Sequence, residues 1–166
     1  MTRHKAGERL VALGAITMVA LLVIPVVLAA TSHAFAATYS GRGTGEVSGT
    51  STSGSATLAG HGNLIGPGTL SGTATGVFTS QTCLTFGGTA DTKGTAGSVM
   101  LTAHGARACA APADADTVTF SGRGTVTGGK SKFAGARGML SFKGTYARQS
   151  GAVAISFAGR ISYSSA

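Results

Sequence analysis

Charge is scarce in this sequence. Charged residues fill 11% of its 166 positions, against roughly a quarter in ordinary domains. With 43% hydrophobic residues, that poverty excludes an ordinary disordered tail, which stays unfolded through high charge and low hydrophobicity. Tryptophan is missing and there are three prolines. No stretch after Ala37 repeats its apolar residues at helical spacing. A helix bundle is excluded a second way: 27 residues are glycine, and each costs about 1 kcal/mol relative to alanine inside a helix. The glycines keep no three-residue period, so the chain is not collagen. Acids are rarer than bases, five against thirteen, for a formal net charge of +8.

What is present begins with a leader. Arg3, Lys5 and Arg9 precede an uncharged run from Leu10 to Ala30, a polar break at Thr31-Ser32-His33, and the small-x-small site Ala34-Phe35-Ala36. Positive start, apolar middle and small-residue end are the three parts of a secretory signal peptide. The expected division is a signal helix segment, 1–36, cleaved after Ala36, followed by one domain, 37–166. The competing reading is a membrane anchor through residues 10–30, since that run is long enough to span a bilayer. Either way the chain is expected outside the cytoplasm. Cys83 and Cys109 are the only cysteines, and an even count in an oxidising compartment implies one disulfide. Two buried free thiols are the alternative. The bridge is expected to pin an irregular loop, Ala108–Asp116, against the domain.

The remaining chain alternates with a period of two. Val153, Ile155, Phe157, Gly159, Ile161 and Tyr163 share one face, and Ala152, Ala154, Ser156, Ala158, Arg160 and Ser162 the other. That alternation marks a half-buried strand. The same reading applies to Thr117–Thr127 and Gly138–Arg148, and gives eight or nine strands in all. They centre on Tyr39–Gly49, Thr52–Gly60, Leu64–Phe78 (one strand or two), Gln81–Gly87, Ser98–Gly105 and those three. The fold class is all-β and antiparallel: a small eight- to nine-stranded barrel, with a β-sandwich as the alternative. Glycines in the inner phase, such as Gly122 and Gly124 between Phe120 and Val126, permit strong coiling and let rings lie over bare backbone. They favour the barrel.

Two motifs overlap near the C-terminus. Gly124-Thr125-Val126-Thr127-Gly128-Gly129-Lys130-Ser131 matches the phosphate-binding loop letter for letter. That loop needs a helix next, with its N-terminus facing the phosphates. Ser131 to Gly138 is broken by two glycines, and no acid follows Asp116 to hold Mg²⁺. A nucleotide site is excluded on those grounds. The segment Gly128-Gly129-Lys130-Ser131-Lys132-Phe133-Ala134-Gly135-Ala136-Arg137-Gly138 instead resembles the glycine-rich turn of dirigent proteins and allene oxide cyclase-like barrels. Exported bacterial proteins of uncharacterised function look similar. The resemblance covers Val118 to Tyr163, and departs from the family where Ser131 replaces a glycine. It implies an eight-stranded barrel with Phe133 plugging one end, and a lumen that hosts an apolar small molecule in an enzyme or carrier. None of the family's lumen residues maps onto this chain.

Catalytic constellations are thin. After Ala37 the acids are Glu46, Asp91, Asp114 and Asp116, and the histidines His61 and His104. Nothing in their spacing assembles a triad or three to four metal ligands, and Asp114-Ala115-Asp116 lacks the dense oxygen set of a calcium site. No catalytic residue, metal or cofactor is assigned. Seven Lys/Arg and no acid follow Asp116. Arg123, Lys130, Lys132, Arg137, Lys143 and Arg160 form a candidate anion-binding surface, for cell-envelope polymers or lipid headgroups. Specific nucleic-acid binding is not expected, because the aromatics face inward rather than forming a stacking platform. Tyr39, Tyr146 and Tyr163 are the candidate polar groups of the lumen. The expectation is an exported, non-catalytic binding or structural barrel; the alternative is a dirigent-like or cyclase-like enzyme or carrier. The oligomeric state and the ligand are left open.

Overall fold

The structure, a computed structural model, describes residues 31–111 and 114–164. The basic and apolar leader, residues 1–30, lies outside the described residues, and so do the expected signal helix and the membrane anchor. Eight strands follow in order: β1 (Thr31–Ser48), β2 (Ser51–Gly62), β3 (Gly66–Phe78), β4 (Cys83–Gly94), β5 (Gly97–Ala111), β6 (Asp114–Ser131), β7 (Arg137–Ala147) and β8 (Ala152–Tyr163). Each pairs antiparallel with the next, and β8 pairs back onto β1, closing the barrel. Closure removes every free sheet edge. No helix occurs among the described residues.

The two-residue alternation positions the side chains. Leu140 and Phe142 on β7 and Phe157 and Ile161 on β8 are buried, while the residues between them are largely exposed. The outward phase is mostly Ser, Thr and basic residues, the reverse of the apolar outer band that a lipid-spanning barrel needs. Inner-face glycines receive rings. Phe120 pairs with Gly144 and Gly122 with Phe142, two rungs of one ladder in reciprocal order. A Cβ on Gly122 would lie 2.8 Å from the Phe142 ring, and one on Gly144 would run into the Phe120 ring. Gly105 has a different task. At φ +64° it forms a bulge in β5, so that Ala103 and Ala106, three apart, both face inward.

Several boundaries differ from the sequence expectations. Leu64–Phe78 is one strand starting at Gly66, with Leu64 in the turn before it. The irregular loop expected over Ala108–Asp116 is mostly strand, because β5 runs to Ala111 and β6 starts at Asp114. Ala108, Ala110 and Val118 pack together as a small apolar cluster, which rewards extending that hairpin. His61 belongs to β2 rather than a turn, and is exposed. The stretch that matches the phosphate-binding loop is strand β6, followed by a turn, not a helix. The largest difference is at the start: β1 begins at Thr31, so the expected cleavage point after Ala36 falls inside a strand.

The two ends of the barrel differ. The connections Asn63–Ile65, Thr95–Ala96 and 132–136 close one end. Ile65, Phe133 and Ala136 from these turns are fully buried there, against Phe35, Val99, Leu140 and Ile161. Phe133 meets Tyr163 edge-on, with ring centres 5.0 Å apart. The other end carries the turns at Gly49, Thr79–Thr82 and Arg148–Gly151, and there Val47 and Val77 are exposed.

Candidate functional site

The inner face near this second end carries little bulk on β1 to β4. Gly43 and Gly45 on β1, Ala56 on β2, Gly72, Ala74 and Gly76 on β3, and Gly88 and Ala90 on β4 leave the lumen hollow. The result is a cavity of about 600 Å³, within the usual range for small-molecule sites. Leu84 and Phe86 at the start of β4 border this bare stretch, and Phe120, Phe142, Val153, Ile155 and Phe157 on β6 to β8 face it. The four phenylalanines form a chain of tilted and edge-on contacts: Phe86 meets Phe120 and Phe142, each 6.3 Å away, and Phe142 meets Phe157 at 6.1 Å. Such pairs add about 0.5–1.5 kcal/mol each beyond burial, and they give the wall a fixed shape. Gln81 and Arg148 also line the cavity.

Of the three tyrosines singled out from the sequence, all face inward, but only Tyr146 lines the cavity. Tyr163 is buried in the closed end, between Phe133 and the His33 ring that stacks on it at 4.7 Å. Tyr39 is buried beside Phe157, and its hydroxyl has no hydrogen-bond partner. The nearby Thr92 hydroxyl donates to the Val99 carbonyl at 3.1 Å. Burial is the main cause that raises the Tyr39 phenol above its ordinary value, with Thr92 acting the other way. Among the cavity-lining residues the only titratable side chains are those of Tyr146 and Arg148. A wall of this kind can bind and orient an apolar body. It offers no carboxylate, imidazole or thiol for general acid–base or nucleophilic work.

Comparison with known proteins finds no matching family, no matching curated protein and no matching solved structure.

The basic residues lie outside the lumen. Arg123 on β6, Lys143 on β7 and Arg160 on β8 are exposed on three adjacent strands. Arg123 pairs with Ser141 and Lys143 with Ser121, which makes the two diagonal neighbours. Lys130 and Lys132 are exposed at and beside the closed-end turn. Two of the six are committed to holding the fold. Arg137 donates from Nη1 to the carbonyls of Thr127 at 2.6 Å and Ala136 at 2.9 Å. Arg160 donates to the Ser32 hydroxyl at 3.0 Å and the Ser32 carbonyl at 3.1 Å. Lys132 lies 5.9 Å from the ring centres of both Phe133 and Tyr163, where a cation is attracted to the ring faces.

The disulfide joins Cys83 to Cys109. These are direct cross-strand partners on β4 and β5, so the bridge staples two neighbouring strands near the hollow end rather than pinning a loop. The acids nearby serve the backbone. Asp114 Oδ1 accepts from the amides of Asp116 and Thr117, and its bonds with Thr117 hold the carboxyl below its usual value. Asp116 Oδ1 accepts from the Gln149 amide at 2.8 Å. Glu46 is exposed and is not part of the cavity wall. Sequence reasoning missed the cavity residues Ala74, Leu84 and Arg148. The available signal was the run of Gly and Ala in the inner phase of β1 to β4, which is too little volume to fill a barrel.

Proposed function

We propose that this protein is an exported, non-catalytic barrel that binds an apolar small molecule in its lumen, with a polar or anionic end of that molecule at Arg148. The observation that carries this reading is the cavity of about 600 Å³ at one end of a barrel whose other end is packed solid. Well-packed interiors keep few voids larger than a water molecule. A hollow of this size, walled by rings and aliphatic groups, is the arrangement from which apolar ligands gain binding energy. The lack of a carboxylate, imidazole or thiol on the wall favours a carrier or sequestering role over the cyclase-like or dirigent-like chemistry that the turn resemblance implies. The leader and the disulfide support export, since disulfides persist in oxidising compartments.

The test is titration of the exported protein with N-phenylnaphthylamine, a neutral apolar dye that brightens in dry surroundings. Saturable one-to-one binding is expected. Ala74→Phe directs a ring into the cavity, and should weaken the dye at least about tenfold, the equivalent of about 1.4 kcal/mol, while the barrel still unfolds cooperatively. No saturable binding, or equal binding by the variant, sinks the reading.

A second reading has its own support. Arg123, Lys143, Lys130 and Lys132 are exposed, and among the described residues the one ion pair is Lys93 with Asp91, at 3.4 Å. An unneutralised basic face attracts polyanions at low salt, so the outer wall is a second candidate surface for anionic envelope polymers or headgroups.

A further inference from the structure

We infer that the export signal ends before β1, with cleavage after Ala29 within Val27-Leu28-Ala29, and that Ala34-Phe35-Ala36 is barrel wall rather than a processing site. The inference rests on reading the leader as an export signal and goes beyond the lumen function.

Every residue from Thr31 to Ala36 has a partner on β8: Thr31 pairs with Tyr163, Phe35 with Gly159 and Ala36 with Ala158. Phe35 is 1% exposed and belongs to the closed-end core. Its alternation with the exposed residues Ala34 and Ala36 is strand phase, and strand phase reproduces the small-x-small pattern that a signal peptidase reads. The other edge of this segment is also held. Asn63 stands where β2 has ended, and its side-chain amide continues the ladder. Asn63 Oδ1 accepts from the Ala36 amide at 2.9 Å, Asn63 Nδ2 donates to the Ala34 carbonyl at 3.0 Å, and the Asn63 amide donates to the Ala36 carbonyl at 2.9 Å. Arg160 binds Ser32, and His33 stacks on Tyr163. Cutting after Ala36 would remove Phe35 from the plug, and would strip one side of Ala158–Tyr163 of its strand partner. That leaves an open sheet edge in a fold that has none.

The upstream site also fits the leader better. With cleavage after Ala29, the apolar core is Leu10–Ile24, fifteen residues, within the usual range of about 7–15 for a signal peptide. Pro25 then separates it from the cleavage region. The same choice leaves Ala30 as a single residue ahead of β1.

The experiment is expression of the full chain in a secreting host and intact-mass measurement of the exported product. A first residue of Ala30 is expected. A first residue at or beyond Thr31, including Ala37, overturns the inference, as does an uncleaved product. Two variants test the assignment separately. Ala29→Arg should accumulate precursor at least about tenfold over the parent, whereas Ala36→Arg, exposed on the strand, should leave processing unchanged. The reverse pattern overturns the inference. In a third arm, a chain of residues 37–166 should unfold at clearly lower urea than residues 31–166; equal midpoints overturn the claim that the segment is barrel wall.

Discussion

Adding one methyl group to either of two inner-face glycines should move stability in opposite directions. A Cβ on Gly144 would collide with the Phe120 ring and with the Ala154 carbonyl oxygen of β8. The ring could tilt away, but the carbonyl is fixed in the β7–β8 ladder. Overpacking of this kind costs about 1–3 kcal/mol, and replacing glycine returns about 0.4–1 kcal/mol through a less free unfolded chain. Gly144→Ala should therefore lose about 1–2 kcal/mol. At Gly124 the nearest atoms to a Cβ are the Thr102 carbonyl oxygen at 3.7 Å and a Leu101 methyl at 4.0 Å, and the methyl projects towards the cavity. Gly124→Ala should gain about 0.4–1 kcal/mol. The two variants should thus differ by roughly 2 kcal/mol, about 1 M in urea midpoint for a slope in the usual range. Far-ultraviolet circular dichroism reads the transition, since the chain has no tryptophan. Shifts of the same sign, or stabilisation by Gly144→Ala, would refute the claim that rings seated on bare backbone set the barrel's packing. Dye binding adds a cross-check: Phe120 lines the cavity, so displacing it in Gly144→Ala should also change the affinity.

Other expectations concern single groups. Ser131 holds φ +56°, the only non-glycine among the described residues with positive φ, so Ser131→Gly should stabilise the turn by about 1 kcal/mol in urea unfolding. Tyr39→Phe removes a buried hydroxyl without a partner, and at neutral pH should leave stability unchanged or raise it, by up to about 1 kcal/mol. The raised phenol value means that folding carries no ionisation penalty at Tyr39 below pH 10, its ordinary value, and that stability is lost as pH rises from there through the higher folded value; the variant's stability should therefore fall less over that range. On the basic face, Arg123, Lys130 and Lys143 changed together to Ser should elute earlier from an anionic resin at low salt. They avoid the carbonyl-bound Arg137 and Arg160, so unfolding should be nearly unaffected, and unchanged elution would reduce the face to a solubility device.

Much of the fold is legible in the sequence because a barrel strand writes its inside and outside onto alternate residues. The assignments of Phe120, Phe142 and Phe157 to one face need only the period, and the structure places all three inward. The glycines between them argued for coiling, and closure into a barrel rather than a sandwich follows that argument. Strand ends were less legible. Ala108 to Asp116 is rich in alanine and holds Pro112, so it carries little pattern, and the ladder between β5 and β6 decides its state. The bulge at Gly105 hides the phase further, since the residues on either side of it no longer alternate in register.

The hollow end was harder to see, because an inward list names residues without adding their volumes. Alternation assigns Gly72, Ala74 and Gly76 to the same face as Leu70 and Phe78, and in that sense they read as core. Core residues fill space only when large side chains face small ones across the lumen. At the closed end the space is filled: Phe35 lies over its ladder neighbour Gly159, and the turns contribute Ile65 and Phe133 from outside the strand pattern. At the other end the small residues of β1 to β4 face a wall of rings, and the turns described there add no plug of comparable size. The asymmetry between the ends is thus set by a few turn side chains together with the bare quarter of the sheet. The same glycine-bearing turn also supplies the plug at Phe133. One end is sealed by local turn sequence, and the other is left hollow.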